Sequence, residues 1–470
     1  MLPSHCGRRC SRCQPCRHSA NSLYSSQGVS VRRLADRAHL RAARAFVRLP
    51  IPHLPPIHWL PATIFLVTYL LIAVESNLGS YLDRTAAAFC GAVAMVLAHV
   101  LTLDQAYQAI DWNTIIFLLG MMILVAHFLV SGFFDWIAVE VAGLARSRMQ
   151  LLALLVFTSG ILSAFFVNDT ICLIFTPIVL AVTERLRLPA QPFVIALATS
   201  ANVGSTMSVT GNPQNALIGV SAKFSFLGFL GHLAPVALVC LGLNFLLLAL
   251  IFRRDLRHAP LAAGAPMPAS VDRTLLPKCL FAASLVVVLW IFNFSFPLVA
   301  ISVGALILLI GRVKSAFIHE RIDWTLLLFF AALFVLIRGF EASGATDYAI
   351  QRFEPWFHGG QVSQLFALGG TMLVLSNLVS NVPAVLLFRP LVGSFSHSHF
   401  VWLVLAATST LAGNSTPFSS IANLIVLQQA NKKVRVTFWE FTRVGIIVTL
   451  VTTLAAIILL ALEYRLFPGV

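Results

Sequence analysis

The chain has 470 residues, of which 58% are hydrophobic and 11% charged, and its formal charge is +14. This composition excludes a soluble globular domain, whose surface needs far more polar side chains, and runs of about twenty apolar residues assign most of the chain to lipid. The positive charge calls for no nucleic acid, because residues 1–50 hold ten Arg against one Asp, which leaves +5 of the +14 for the remainder.

In chain order, residues 1–50 read as a disordered basic leader, or as residues translated from an upstream start that do not belong to the working protein. Cys6, Cys10, Cys13 and Cys16 lie there at spacings that match no standard zinc pattern, so no metal site is expected. No apolar core followed by a small-residue cleavage site is present, which excludes a secretory signal. Cys90, Cys172, Cys240 and Cys279 sit in or beside apolar segments and read as small core residues.

Apolar segments of spanning length then fall at about 60–75, 85–101, 113–131, 149–167, 170–184, 192–222, 228–252, 275–293, 296–311, 324–341, 361–379, 382–395, 399–431 and 443–464. Those at 192–222 and 399–431 are too long and too polar at their centres for straight helices. Breaks are expected at Gly204 to Pro213 and at Gly413 to Pro417, where unpaired backbone must face protein or a water-filled cavity.

One order of motifs runs through the chain twice. Asp111-Trp112-Asn113-Thr114 is followed by Val167-Asn168-Asp169-Thr170, by Phe175-Thr176-Pro177, and by Ala198-Thr199-Ser200 leading to Gly204 and Asn215-Ala216-Leu217-Ile218. Asp323-Trp324-Thr325 is followed by Val379-Ser380-Asn381-Val382, by Phe388-Arg389-Pro390, and by Ala407-Thr408-Ser409 leading to Gly413 and Asn423-Leu424-Ile425. Two halves that interrupt apolar helices with polar residues and Pro at matching positions are the signature of a secondary transporter. The fold class expected is therefore an all-α polytopic membrane protein with two inverted-topology repeats, each of about five transmembrane helices, one of them broken, plus a re-entrant helical hairpin. Repeat 1 covers 58–252, a cytoplasmic linker 253–274 and repeat 2 covers 275–466.

Charge decides the orientation. Arg146 and Arg148 precede the pair 149–167 and 170–184, and Arg185 and Arg187 follow it, so both ends of this pair lie on the cytoplasmic side. With five crossings and a returning hairpin in each half, the second half is inverted. Cytoplasmic loops then hold Arg84, Arg253, Arg254, Arg257, Arg273, Lys278, Arg312, Lys314, Arg321, Lys432, Lys433, Arg435 and Arg443, while the loops 102–112 and 294–296 have no Lys or Arg. Lys223, Arg352 and the leader are exceptions to the rule.

These residues resemble a known family. Ala164-Phe165-Phe166-Val167-Asn168-Asp169-Thr170 with Leu173-Ile174-Phe175-Thr176-Pro177 is similar to the first hairpin of the arsenite/antimonite permeases. Ser200-Ala201-Asn202-Val203-Gly204-Ser205 through Gly211-Asn212-Pro213-Gln214-Asn215 is similar to their broken helix. The same pattern marks silicon-efflux transporters, the melanosomal P protein and citrate-transporter-like domains, all of the ion transporter superfamily. The resemblance covers roughly residues 60–465. It implies opposed hairpins, a substrate site at their tips, a homodimer and an elevator-like motion.

The residue types suit such a site on their own account. Amide and hydroxyl groups at a hairpin tip replace part of a hydration shell at modest desolvation cost, and nearby helix N-termini favour anions. Asn168, Asp169, Thr170, Asn202, Gly204, Ser205, Thr206, Gly211, Asn212 and Asn215 are expected to form one half of the pocket, and Ser380, Asn381, Gly413, Asn414, Ser415, Thr416 and Asn423 the other. The competing reading is that Asn and Ser cap broken helices and join neighbours. Asp169 stands where repeat 2 has Val382. It is either the carrier of a coupling proton or cation, or a helix cap. His127 is a packed histidine or a proton relay, Arg389 snorkels or meets an anion, and Arg338 pairs with Glu341. His319-Glu320 lacks the second His of a zinc-protease helix.

The function expected is secondary active transport of a small oxyanion or oxyacid of the arsenite, antimonite or silicate kind, by proton-coupled efflux. The alternative is sodium- or proton-coupled uptake of a di- or tricarboxylate, sulfate or other inorganic anion. The pocket residues include no obvious Lys or Arg, which speaks mildly for a neutral oxyacid. No catalytic constellation, cofactor or resident metal is called for beyond the coupling ion, H+ or Na+. No Gly-x4-Gly-Lys-Ser/Thr loop occurs, so any use of ATP needs a separate ATPase subunit. The location expected is the cell (inner) membrane, multi-pass.

Overall fold

Helix-start signals and apolar runs of the lengths noted above set the elements. The structure, a computed structural model, describes residues 58–74, 83–256, 270–346, 348, 352, 357, 360–395, 397–431 and 433–466. The leader with its four cysteines and residues 257–269 of the linker lie outside these. All the elements are helical. The first half runs α1 (Trp59–Val74), α2 (Arg84–Leu97), α3 (Leu103–Ala109), α4 (Trp112–Val130), α5 (Phe133–Leu144), the hairpin α6 (Arg148–Phe165) and α7 (Asn168–Arg185), the broken helix α8 (Gln191–Ser205) and α9 (Pro213–Ser221), and α10 (Phe226–Ile251). The second half runs α11 (Leu276–Ile291), α12 (Phe296–Gly311), α13 (Ser315–His319), α14 (Trp324–Glu341), the hairpin α15 (Gln361–Val379) and α16 (Asn381–Val392), the broken helix α17 (Ser398–Ala412) and α18 (Ile421–Ala430), and α19 (Phe438–Leu466).

The twofold order is reproduced atom by atom at the helix starts. Asp111 caps α4 by accepting from the Thr114 amide at 3.3 Å, and Asp323 caps α14 by accepting from the Leu326 amide at 2.8 Å. In both copies the Trp amide donates to the carbonyl of the Ile two residues earlier, at 3.0 Å. Asp-Trp is therefore a start signal: the carboxylate satisfies a first-turn amide that has no partner inside its own helix. A short helix precedes each start, α3 in the first half and α13 in the second.

Six described helices, including α4, α6, α10, α14 and α19, are long and apolar enough to cross a membrane. The two broken helices form the centre. Every residue of α8 from Pro192 to Ser205 is buried, as is every residue of α17 from Phe400 to Ala412. By contrast α10 and α19 leave Leu246, Leu250, Leu450 and Leu454 about half exposed, the side they turn to lipid. Lipid tails give no hydrophobic drive between helices, so close packing through small residues must supply it. A Cβ on Gly204 of α8 would lie 2.0 Å from the carbonyl oxygen of Gly160 in α6, so these two backbones touch directly. Helix α5 is an addition to the sequence reading. Its 12 residues contain Asp135 and Glu140, which mask its apolar character, and Gly132 (φ 73°) makes the left-handed turn into it.

Candidate functional site

Each hairpin tip is built against a helix break. In the first half Phe166-Val167 closes the hairpin, and the Asn168 amide, one of the unpartnered first-turn donors of α7, donates to the carbonyl of Gly211 in the break at 3.0 Å. The carbonyl of Ala164 accepts from the hydroxyls of Ser208 and of Thr210, the latter at 2.9 Å. The break itself is held by two asparagines. Asn212 caps α9 by accepting from the Asn215 amide at 2.8 Å, and it donates to Ser205 Oγ at 2.9 Å and Thr410 Oγ1 at 3.1 Å. Asn215 Nδ2 donates to the carbonyls of Ser205, Thr206 and Ser208 at 3.0–3.3 Å. Asn423 repeats that part in the second half, donating to the carbonyls of Gly413 at 2.7 Å and Thr416 at 3.0 Å.

Asn202 joins the halves. Its Oδ1 accepts from Asn168 Nδ2 at 2.8 Å and Ser420 Oγ at 3.1 Å, and its Nδ2 donates to Asn414 Oδ1 at 2.9 Å and Asn423 Oδ1 at 3.0 Å. All four hydrogen-bonding positions of this buried amide are thereby used. The repeat places Leu411 where Asn202 stands, so this junction exists once. Asn414 also reaches back to the Thr199 carbonyl at 3.4 Å, and Gln214 to Thr410 Oγ1 at 3.2 Å.

Above this amide network lies a cavity of about 600 Å³ into which both tips project: Asn168 and Asp169 from the first, Ser380, Asn381 and Val382 from the second. Tyr69, Phe329 and Phe330 form much of its apolar wall, and Gln214, Asn377, Ser420 and Gln428 add polar groups. Asn168 Oδ1 and Asn381 Oδ1 are both buried without a partner among the described residues. These two asparagines occupy equivalent positions, the first residue of the second hairpin helix in each half. The tips differ in strain. Ser380 sits at φ 71°, ψ 162°, a region nearly confined to glycine, whereas Val167 has φ −42°, ψ 129°.

Of the residues singled out from the sequence, Asn168, Asp169, Ser380 and Asn381 line the cavity, while Asn202, Asn414 and Asn423 form the network that supports it. Gly413 lies against Asn381, whose Nδ2 would be 2.9 Å from a Cβ at that glycine. Ser205, Thr206, Gly211, Asn212 and Asn215 hold the first break. Ser415 and Thr416 share Ser419, and Ser415 and Ser419 both donate to Asn377 Oδ1 of α15, so they tie the second break to its hairpin. Thr170 is half-buried on α7, outside the cavity wall.

Three readings change: Cys90 is exposed and not a core residue, and two arginines stand elsewhere than expected. Arg84, counted as a cytoplasmic loop charge, lines the cavity at the first residue of α2, so the pocket does contain a cation. Together with Asp169 it makes up the charged part of the described lining. Arg389 does not simply snorkel: its Nη1 lies 3.8 Å from Asp111 Oδ2. His127 is fully buried, its Nδ1 2.8 Å from the Ile123 carbonyl, and it does not line the cavity, which leaves it a packed histidine. Arg338 pairs with Glu341 at 3.0 Å as expected. Gln214 lies within the quoted motif, whereas Ser420 is missed, although a Ser directly before the apolar run from Ile421 is a helix-start signal. Tyr69 and Gln428 carried no signal.

The sequence matches the family described as citrate transporter over residues 69–412. It is 31% identical over 427 residues to an uncharacterized transporter of Mycobacterium bovis, covering 86% of this chain and 97% of that protein. It is 29% identical over 441 residues to the silicon efflux transporter of Oryza sativa subsp. japonica, covering 79% and 91%. The fold is similar to that of the YdaH transporter of Alcanivorax borkumensis, with a TM-score of 0.55 at 13% identity over 87% of this chain and 97% of that one.

Proposed function

The chain belongs to the citrate transporter family and is a multi-pass secondary transporter, and on that premise we propose that it moves a small oxyanion or oxyacid of the arsenite, antimonite or silicate kind by proton-coupled efflux. The observation that carries this reading is the meeting of both hairpin tips in one cavity, floored by an amide network that joins the two halves. Asn168 and Asn381 offer amides to hydroxyl and oxo groups, with the N-termini of α7 and α16 behind them. Asp169 carries the proton. Asp169 and Arg84 are the charged groups of the described lining, so protonation of Asp169 makes the cavity one unit more positive. The carboxylate thus trades between proton and cargo, which is what coupling requires. The rice relative named a silicon efflux transporter supports the oxyacid class.

Arg84 favours a second reading, uptake of a carboxylate or sulfate with a proton or sodium ion, because a guanidinium suits a charged oxyanion better than a neutral acid. The working unit proposed is a homodimer. Transport into everted vesicles and proteoliposomes of arsenite, antimonite, silicate, phosphate, sulfate and citrate, with and without a proton gradient, separates the two readings. Arsenite or silicate movement driven by the gradient is expected. In Asp169→Asn the gradient no longer drives it, although downhill exchange persists. Gradient-driven transport at the wild-type rate in Asp169→Asn refutes the coupling role.

A further inference from the structure

Helices α14 and α16 face each other along a seam whose two ends are both hollow. At one end Phe329 and Phe330 of α14 and Asn381, Val382 and Pro383 of α16 line the cavity that holds the hairpin tips. At the other end Ile337, Arg338 and Glu341 of α14 and Leu386, Arg389 and Pro390 of α16, closed over by Gln105 and Gln108 of α3, line a depression of about 560 Å³. On α14 the first lining ends at Phe330 and the second begins at Phe334; on α16 they are Pro383 and Leu386. The septum is therefore a single helical turn, about 5 Å of backbone rise, plugged by the buried rings of Phe330 and Phe334.

The far depression also differs in charge. Its described lining holds Arg338, Arg389 and one carboxylate, Glu341, that already pairs with Arg338 at 3.0 Å. Arg389 is half exposed and its distance of 3.8 Å from Asp111 is longer than a hydrogen bond. The other oxygen of Asp111 is engaged in capping α4. The side chain of Arg389 is thus loosely held at the rim of a hollow whose described lining carries one more cation than carboxylate, with Asp111 standing just behind it.

We propose that this depression is the second mouth of the transport pathway, on the face opposite the basic loops, and that Arg389 is its anion-attracting residue. The proposal rests on the transport reading above, but its test needs no transported cargo. Single cysteines are placed at Gln108, in the far mouth, and at Gln428, in the tip cavity, in full-length protein whose Cys6, Cys10, Cys13, Cys16 and Cys90 are replaced by Ser. Membrane-impermeant thiosulfonates, one carrying a sulfonate and one a trimethylammonium group, are then applied to each face of reconstituted vesicles. Gln108→Cys is expected to react only from the face opposite the basic loops and faster with the sulfonate. Adding Arg389→Gln lowers its sulfonate-to-ammonium rate ratio about tenfold, the size of effect that one charge within several ångströms produces in a partly screened site. The ratio at Gln428→Cys stays unchanged, which also reports that the variant is folded. Adding Phe334→Ala opens the septum, so that Gln428→Cys becomes reactive from the far face. Silence of Gln108→Cys from that face, or a ratio unmoved by Arg389→Gln, overturns the proposal. If the ratio falls as expected and no cargo of the panel is moved, the mouth stands and the assigned cargo falls.

Discussion

Replacing Asn202 with Leu, the residue its own repeat carries at position 411, removes the junction between the halves at nearly constant volume. Four partners lose a bond: Asn168 Nδ2, Ser420 Oγ, Asn414 Oδ1 and Asn423 Oδ1. Asn168 and Ser420 line the cavity, so water there can replace their lost partner. Asn414 and Asn423 are fully buried, and their acceptor oxygens are stranded. A stranded buried acceptor costs roughly 1–3 kcal/mol, whereas side-chain bonds within membrane proteins average about 0.6 kcal/mol when measured by double-mutant cycles. Two such groups bracket the loss between about 1 and 6 kcal/mol, and about 3 kcal/mol is expected here because neither oxygen accepts from another donor among the described residues. Reversible unfolding of the purified protein in mixed micelles measures it. The cycle with Asn414→Leu should show a coupling of about 1 kcal/mol or more, since that variant removes one of the stranded oxygens. Stability of Asn202→Leu within about 0.5 kcal/mol of the wild type, or a coupling of zero, would refute the view that this amide holds the halves together.

Ser380→Gly should be more stable than Ser380→Ala by about 1 kcal/mol. Both lose the hydroxyl, only glycine relieves the φ 71°, ψ 162° backbone, and the strain of roughly 1–3 kcal/mol is partly offset by the greater freedom of glycine in the unfolded chain. Thermal unfolding of the pair side by side checks the order. Gly204→Ala should not give folded protein, because its methyl would lie 2.0 Å from the Gly160 carbonyl oxygen and both backbones are locked in the centre; a monodisperse, wild-type-like elution profile contradicts this. Asp111→Ala and Asp323→Ala should each cost about 1 kcal/mol through loss of a helix cap, and by similar amounts, since each accepts from the amide three residues on and the half-exposed contact of Asp111 with Arg389 adds little. Denaturant titration of the two variants tests the equivalence.

The sequence foretold whatever depends on neighbours along the chain. The Asp-Trp starts, the interrupted helices and the asparagines at the tips are local devices, and duplication made them visible by printing each one twice. What escaped depends on packing between distant segments. Asn202, Asn414 and Asn423 stand out individually as pocket residues, but their meeting across 212 and 221 residues does not, because only the first half carries an asparagine at that place and no second copy announces the junction. Arg84 looked like an ordinary loop charge because a residue at the start of a helix gives no sign of the direction it faces once α1, α2 and α14 are assembled. Helix α5 was hidden for a different reason. Hydropathy detects length and purity, and a 12-residue helix with two acidic residues has neither.

Asn215 gives the unwound stretch between α8 and α9 a property that unwound backbone rarely has. One amide gathers the carbonyls of Ser205, Thr206 and Ser208, and Asn212 fastens the same stretch at its other end. The stretch therefore has little freedom left to surrender when a solute docks beside it. Association at this spot should show a small entropy penalty and a rate set by access and dehydration rather than by folding of the binding surface.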